Sequence, residues 1–227
     1  MKLIKIHLRN QQVILDDYTH LDALVSYARV IQTGNIEDRW DIPIERIYSP
    51  PDKEKFIFDC SVWFGSILGF QDHIYTKNPL RGFNRMFSLD SEKDTAFKKQ
   101  IIPGGGRSRN FLFTLRCTMI NEICFLVNTD NRGVGKIVDL LHGLVGIGKK
   151  KICKVKEITA GDIADSSIPE LYRATPTDIR SGNSFKMQPS QVQNGYRSPY
   201  WHIDNQDECY MPPVPLERAE WLKELDL

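Results

Sequence analysis

This sequence predicts an α+β fold with the element order β-α-β-β-α-β, because strand-like and helix-like segments follow one another in that order. The chain has 227 residues, of which 41% are hydrophobic and 26% are charged. A chain of this length and composition can bury most of its unfolded apolar surface. It therefore suits one ordinary globular domain with an appendage.

The first half of the chain supplies a strand, a helix and two further strands. Residues 3–9 alternate between apolar and polar side chains, which is typical of a half-buried strand. Residues 20–31 have helical periodicity and end before Gly34, a helix-stop signal. Residues 42–48 suit an edge strand, and residues 56–64 are rich in aromatic and β-branched side chains. The predicted buried face of the helix comprises Leu21, Leu24, Val25, Ala28 and Ile31.

The second half of the chain completes the pattern. Residues 111–117 and 123–127 predict two strands joined as a hairpin, since only a short turn signal separates them. A helix is predicted after Asp130, ending near Gly146 or two residues beyond, and a last strand at 152–158. This order predicts a ferredoxin-like sandwich, which also resembles the RNA-recognition motif.

Composition divides the chain into a domain and an extension. We predict a domain over residues 1–160, with a basic, thumb-like insertion at about 71–110, and a C-terminal extension or arm over residues 161–227. Beyond residue 165 the chain is rich in Pro, Ser, Asn and Gln. The aromatic side chains among these polar residues suit an arm that packs on a partner or on its own domain; they are Tyr196, Tyr200, Trp201 and Tyr210.

Membrane, secretory and metal-binding signals are missing from the sequence. No apolar stretch reaches the roughly 20 residues that cross a bilayer, and the N-terminus lacks the apolar core of a signal peptide. The five cysteines are odd in number and scattered, with no C-x-x-C pair, so neither disulfides nor a zinc site are indicated. We expect a cytoplasmic protein with buried thiols, no cofactor and no membrane partner.

The overall charge balance of 30 basic to 29 acidic residues argues against a nucleic-acid binder. The charges are nevertheless segregated. The window 132–156 contains seven basic residues and one acidic residue, whereas residues 204–227 contain seven acidic and two basic residues. One basic face for RNA and an acidic tail elsewhere fit this division.

A glycine- and lysine-rich segment, residues 143–151 (GLVGIGKKK), follows the second predicted helix. Glycines allow close approach of a ligand to the backbone, and amides with lysines can hold phosphates, so this segment predicts a sugar-phosphate clamp. The alternative is that the glycines end the helix and the lysines form a solvated turn. A P-loop is not supported, because Lys150 stands where a Ser or Thr hydroxyl should bind magnesium.

The insertion carries a second basic cluster with interleaved phenylalanines. Aromatic rings among cations suit unpaired nucleotides, since rings stack on bases while arginines bind the backbone. The alternative places the phenylalanines in a small satellite core and the charges in solvent. The cluster comprises Arg81, Arg85, Lys93, Lys98, Lys99, Arg107 and Arg109, with Phe83, Phe87 and Phe97.

No catalytic pattern accompanies these clusters. None of the five histidines belongs to a spaced metal signature, and the carboxylates are unpatterned. His142, four residues before the glycines, and His20 are the candidate acids or bases if the protein is a nuclease. A histidine in such a position more often caps or packs on its helix.

Three segments carry a resemblance to a known family. Residues 143–151 after a helix resemble the glycine-rich loop of RAMP-type CRISPR proteins. Residues 21–28 (LDALVSYA) together with residues 42–44 (IPI) are similar to the Cas-five-like, or Csf-type, subunit of type IV CRISPR complexes. The resemblance covers roughly residues 1–160. The sequence departs from the family at 152–154, where relatives continue with a glycine-rich turn.

The resemblance implies a non-catalytic RNA-binding subunit that acts in antiviral defense and anti-plasmid interference. Such a subunit holds the 5′ handle of the CRISPR RNA, caps the filament of backbone subunits and supports RNA-guided DNA binding. Its expected partners are the CRISPR RNA, the backbone and large subunits, and target DNA. The alternatives are a metal-independent RNA-processing endoribonuclease of the same superfamily and a scaffold without nucleic-acid contact. The predicted RNA-binding residues are Gly146, Gly148, Lys149, Lys150, Lys151, Lys154, Arg132, Lys136, Arg81, Arg85, Arg107 and Arg109.

Overall fold

A computed structural model describes residues 1–52, 54–77, 111–149, 153–164, 167–179 and 191–225. The chain divides into two compact units. One comprises Met1–Gly69 and Thr118–Leu227, and the other comprises Phe70–Cys117. Most of the predicted insertion, residues 78–110, lies outside the described residues.

The described residues form a mixed α/β fold with several small antiparallel sheets and few helices. The helices are α1 (Leu21–Thr33), α2 (Asn131–His142) and α3 (Trp221–Glu224). The strands are β1 (Lys2–Leu8), β2 (Gln12–Val13), β3 (Arg46–Tyr48), β4 (Phe56–Phe58), β5 (Ile67–Lys77), β6 (Phe111–Ile120), β7 (Glu122–Val127), β8 (Val155–Asp162), β9 (Thr175–Pro176), β10 (Gln191–Gly195) and β11 (Gln206–Tyr210).

The central sheet has the strand order β7-β1-β8, and both pairings are antiparallel. Ile4 and Ile6 on β1 are fully buried, whereas Lys5 and His7 are only partly buried, so the predicted first strand and its alternation are confirmed. Strand β1 lies in the middle of the sheet because both of its edges are hydrogen-bonded. The last predicted strand is also confirmed, although it begins later, at Val155.

The free edge of β7 is covered by the segment that follows β4. Single bridges join Cys60 to Val127 and Phe64 to Cys124. Helices α1 and α2 contact each other, and their buried side chains share one core with β1 and β7. Every residue of β7 from Ile123 to Val127 is buried, as expected for a strand covered on both faces.

The predicted hairpin between the two middle strands is wrong. Strands β6 and β7 exist and follow each other directly, but β6 lies between β2 and β5, and β7 pairs with β1. The physical reason is that β7 is apolar on both faces, which favours its burial between β1 and the segment after β4. A hairpin predicted from neighbouring residues takes no account of this pairing between strands that are far apart in the chain.

Helix α1 agrees with its prediction except on one row of side chains. The helix ends at Gly34, which has a left-handed φ of 72°. The side chains predicted to be buried are buried apart from Ile31, which is 58% exposed. Ile31 and Tyr27 are one turn apart and both are exposed, so this row of α1 faces away from the core.

The described part of the C-terminal region belongs to the same compact unit as β1. It contains a sheet with the order β10-β11-β9, and α3 packs its Trp221 ring 5.4 Å from the Phe64 ring. The boundary at residue 160 and the function of this region as an arm stay predictions. In the described ranges, no helix is long and apolar enough to span a bilayer.

Replacement of a core isoleucine tests this arrangement. Because Ile6 is fully buried at the centre of the sheet, we expect Ile6→Ala to lower the free energy of unfolding by about 2–5 kcal/mol. The matched change on the exposed face of α1, Ile31→Ala, should alter it by no more than about 0.5 kcal/mol. Urea titrations measure both values, and equal losses would contradict the assigned burial.

Candidate functional site

The glycine-rich loop after α2 is held against the segment that follows β2. The Lys149 amide donates to the Ile14 carbonyl at 2.8 Å, and the Ile147 amide donates to the Cys153 carbonyl at 2.9 Å. Gly148 has a φ of +79°, and a Cβ atom there would lie 2.4 Å from the Ile14 carbonyl oxygen. Only glycine fits this position without displacement, so Gly148 serves close packing within the protein.

This contact creates one side of a groove of about 650 Å³. The groove lies between the loop at 144–149, the segment 14–19, the first turns of α1, and the C-terminal residues around Tyr200. All of these belong to the same compact unit. The volume is within the range of roughly 300–1,000 Å³ that is usual for ligand sites.

The rim of the groove carries exposed aromatic side chains. Trp201 is 78% exposed and Tyr27 is 45% exposed, and both line the groove. Exposed rings beside a groove suit the flat faces of unpaired bases, since stacking on an aromatic ring contributes about 1–3 kcal/mol per base.

Three charged side chains line the groove, Asp16, Asp17 and Lys149, and two of them form an ion pair. The Lys149 ammonium lies 2.5 Å from the Asp16 carboxylate, and both side chains are more than half exposed. Such an exposed pair contributes little to stability and exchanges readily with solvent ions. Lys149 can therefore bind a phosphate in the groove only after its ion pair with Asp16 breaks.

A buried polar network lies beneath the groove. The Tyr200 hydroxyl donates to Asp22 Oδ1 at 2.5 Å, and the Tyr200 ring stacks on the His20 ring at 4.9 Å. Asp22 is fully buried, and its second oxygen, Oδ2, has no hydrogen-bond partner among the described residues. Burial raises the pKa of Asp22 above its usual range, although Arg173 and the Tyr200 hydrogen bond oppose this effect.

Arg173 supplies the positive charge of this network. Its side chain is 2% exposed, and its Nη2 group donates to the Tyr196 carbonyl at 2.5 Å. Burial lowers the pKa of His20 well below its usual value, and the Arg173 charge adds to this shift. The Ala174 amide donates to His20 Nε2 at 3.1 Å. His20 is therefore a neutral structural residue that accepts a hydrogen bond from the C-terminal segment.

Arg218 anchors the segment 14–19, which lines the groove beside the glycine-rich loop. It is fully buried, donates through Nη2 to the Asp17 carbonyl, and lies 5.3 Å from the centre of the Trp63 ring. Its Nε and Nη1 groups have no hydrogen-bond partner among the described residues. Burial lowers its pKa to about 10. Through Arg218 the end of the chain holds the segment 14–19 that faces the glycine-rich loop.

The structure brings together only part of the predicted RNA-binding set. Gly146, Gly148 and Lys149 line the groove. Lys154 is exposed beyond the loop, where its backbone amide donates to Asn10 Oδ1 at an N–O distance of 3.4 Å. The other two described members of the set lie on α2.

Arg132 and Lys136 are exposed on the first two turns of α2. At a rise of 1.5 Å per residue, Arg132 is about 15 Å along the helix axis from His142, the last residue of α2, and neither Arg132 nor Lys136 lines the groove. The remaining predicted residues lie outside the described part of the chain; they are Lys150, Lys151, Arg81, Arg85, Arg107 and Arg109.

The two candidate catalytic histidines differ in their exposure to solvent. His20 has no exposed surface, whereas His142 is exposed at the end of α2. In the described ranges, no three His, Cys, Asp or Glu side chains converge as a metal site requires. All five cysteines are buried, and burial raises the pKa of Cys60 well above its usual value.

Sequence reasoning missed the residues that the C-terminal segment and α1 contribute to the groove. These include Tyr27, Trp201 and Asn194. The signal was present in the cluster of aromatic side chains among polar residues near position 200. The buried network holds that cluster beside the glycine-rich loop, which lies about 50 residues earlier in the chain. No local sequence pattern indicates this long-range contact.

Comparisons with known proteins add no relative. A scan against models of protein families finds no match to this sequence, and no curated protein matches it. The groove and the chemistry of its walls are therefore the features that indicate a function.

An alanine at Gly148 tests the close contact that forms the groove. We expect Gly148→Ala to lower the free energy of unfolding by about 1–3 kcal/mol, because it combines a left-handed φ with the steric clash at Ile14. Gly135→Ala is the matched control, since nothing lies within 4 Å of that position on α2. It should be neutral or stabilise by up to about 1 kcal/mol. Equal effects in urea titrations would contradict the contact.

The buried network predicts a pH-dependent effect of Tyr200→Phe. Above the raised pKa of Asp22, loss of the hydroxyl leaves an ionised buried carboxylate with a weaker partner, at a cost of about 1–3 kcal/mol. The folded-state pKa lies above the unfolded one and rises further in the variant. Lowering the pH through it therefore favours the folded variant, and the deficit relative to the parent protein shrinks.

Denaturant titrations over a series of pH values measure this deficit. Tyr27→Phe, which removes an exposed hydroxyl on the same groove, should show no pH-dependent difference. A deficit for Tyr200→Phe that stays constant from neutral to acidic pH would show that Asp22 is not the group involved.

Proposed function

We propose that this protein is a non-catalytic, cytoplasmic RNA-binding subunit of a type IV CRISPR ribonucleoprotein. In this proposal it holds the 5′ handle of the CRISPR RNA, caps the filament of backbone subunits and supports RNA-guided DNA binding. The observation that carries the proposal is the groove in which the glycine-rich loop meets exposed aromatic side chains and Lys149.

We also propose that the fold is ferredoxin-like. The sheet order β8-β1-β7 continues through the bridges at Cys60 and Phe64, so the segment after β4 would take the place of the second strand. The glycine-rich loop connects α2 to β8, the last strand of the motif. In the RAMP family that the sequence resembles, the glycine-rich loop likewise follows a helix.

The groove offers the chemical groups that an RNA end requires. Lys149 and the lysines that follow it in sequence would contact phosphates, and Trp201 and Tyr27 would stack on unpaired bases. Polar side chains of the groove, such as Asn194, can hydrogen-bond base edges. The combination suits a single strand better than a duplex, whose bases are already stacked.

The Asp16 carboxylate would compete with RNA for Lys149. This carboxylate lies 2.5 Å from the Lys149 ammonium, in the position that an RNA phosphate would take. Binding of RNA then exchanges one ion pair for another, so Asp16 weakens the binding of any anion at this position. This exchange favours ligands with several phosphates over a single free anion.

We propose binding without cleavage because His20 cannot serve as an acid or base toward RNA. It has no exposed surface, and its Nε2 atom already accepts the Ala174 amide hydrogen. His142 is exposed at the C-terminal end of α2 and is not among the residues that line the groove.

The proposal is tested by neutralising the loop. We expect the parent protein to bind a single-stranded repeat RNA with salt-dependent affinity. The triple change Lys149→Gln, Lys150→Gln and Lys151→Gln should weaken binding about hundredfold and lower the slope of log K against log salt by about 2. Fluorescence anisotropy with labelled RNA measures both quantities.

Two variants control for nonspecific charge effects. Asp16→Asn should tighten binding, because it frees Lys149 and removes a negative charge from the groove. Lys223→Gln removes one exposed charge from α3 and should leave affinity unchanged. Unaltered RNA binding by the triple variant would overturn the assignment of the loop, and specific cleavage of the RNA would overturn the non-catalytic assignment.

A further inference from the structure

Three arginines outside the groove stack on two neighbouring aromatic rings. The guanidinium carbon of Arg39 lies 4.4 Å from the centre of the Trp40 ring, and that of Arg197 lies 4.5 Å from the same ring. Arg197 also lies 4.8 Å from the Phe56 ring, and Arg46 lies 4.5 Å from it. We call Arg39, Arg46 and Arg197 the arginine cluster.

The charges of the arginine cluster are poorly neutralised by carboxylates. Among the described residues, no carboxylate lies within 4.0 Å of Arg46 or Arg197. Within the described part of the chain, Arg39 pairs only with Glu37, at 3.6 Å, and that carboxylate is 78% exposed and easily displaced. Burial lowers the pKa of Arg197; the charges of Arg39 and Arg46 act in the same direction, whereas Tyr196 and Asp52 oppose the shift.

The hydrogen bonds of the arginine cluster orient it without using all of its donors. Arg46 donates through Nη2 to the Trp40 carbonyl at 2.6 Å, and Arg197 donates through Nε to Asn205 at 2.6 Å. Arg46 is exposed and lines a second cavity, of about 430 Å³. Rings that stack on guanidinium groups reduce the entropy that these side chains lose when they bind a ligand.

The chain connects the arginine cluster directly to the groove. Arg197 is four residues before Trp201, so their Cα atoms are at most about 14 Å apart. Between them, the Trp40 indole nitrogen donates to the Ser198 carbonyl at 2.6 Å, and the Tyr200 hydroxyl is bonded to Asp22. Both ends of this short segment are thus held in place, with aromatic rings at one end and arginines at the other.

We propose that the arginine cluster is a second RNA-binding site, which holds phosphodiester groups of the same single strand whose end lies in the groove. This inference rests on the proposed function. A guanidinium group binds two phosphate oxygens at once, and three such groups held close together suit consecutive phosphates of one strand. Bases need not stack here, since the Phe56 ring is 5% exposed and already covered by arginines.

Substitution of Arg46 distinguishes RNA binding by the arginine cluster from a purely structural function of the cluster. It is the most exposed member of the cluster, whereas Arg197 also anchors the C-terminal segment through Asn205. If the arginines served only to fasten chain segments to aromatic rings, Arg46→Gln would change stability and leave RNA affinity unaltered. Phosphate binding instead predicts a change in the salt dependence of RNA affinity.

The experiment compares two RNAs on the full-length protein by fluorescence anisotropy at several salt concentrations. One RNA of about four nucleotides fills only the groove, and one of about twelve also reaches the arginine cluster. We expect Arg46→Gln to weaken binding of the longer RNA about tenfold and to lower its salt slope by about 0.7. Binding of the short RNA should be unchanged, whereas Lys149→Gln should weaken both.

Arg46→Lys and thermal unfolding complete the design. The lysine variant keeps the charge and should retain most of the salt slope, and each variant's midpoint of unfolding reports any structural damage. If the parent protein binds the longer RNA and Lys149→Gln weakens it, but Arg46→Gln does not, the second site is overturned while the proposed function stands. Equal losses for both RNAs also overturn it. If the parent protein binds neither RNA, the proposed function falls and the second site with it.

Discussion

Burial of the Asp22 carboxylate beneath the Tyr200 hydroxyl is the contact on which the candidate site depends. A buried carboxyl group is costly to ionise unless hydrogen bonds and an opposite charge compensate it; the Tyr200 hydrogen bond and the Arg173 charge do so only in part, since burial still raises the pKa of Asp22. Both partners come from the C-terminal segment, whereas Asp22 belongs to the first turn of α1. The network therefore holds residues nearly 180 positions apart in one place.

The groove lies between two places at which distant segments of the chain are held together. On one side Gly148 lets the glycine-rich loop contact Ile14, and on the other side the buried network holds Tyr200 and Trp201 against α1. Arg218 secures the segment between them by its bond to the Asp17 carbonyl. Each wall is supported by backbone contacts or buried groups, so a ligand meets a surface that needs little rearrangement, which favours affinity.

Charge is arranged locally rather than over the whole surface. The net charge of +1 does not show that the cations have different partners. Lys149 pairs with Asp16, whereas Arg46 and Arg197 stack on aromatic rings. An ion pair in solvent is exchanged at small cost, and a guanidinium group on a ring keeps donors for a further ligand. Both arrangements suit a partner that carries many phosphates.

The sequence by itself determined the elements that arise from local periodicity and the chemistry of the loop. The alternation of β1, the helical spacing of α1 with its stop at Gly34, and the glycines after α2 were all readable, because they depend on neighbouring residues. Only the tertiary structure decided that β7 pairs with β1 instead of β6, and that Trp201 reaches the groove. Those placements come from long-range burial of apolar strands and of the Asp22 network, whose energy depends on residues far apart in the chain.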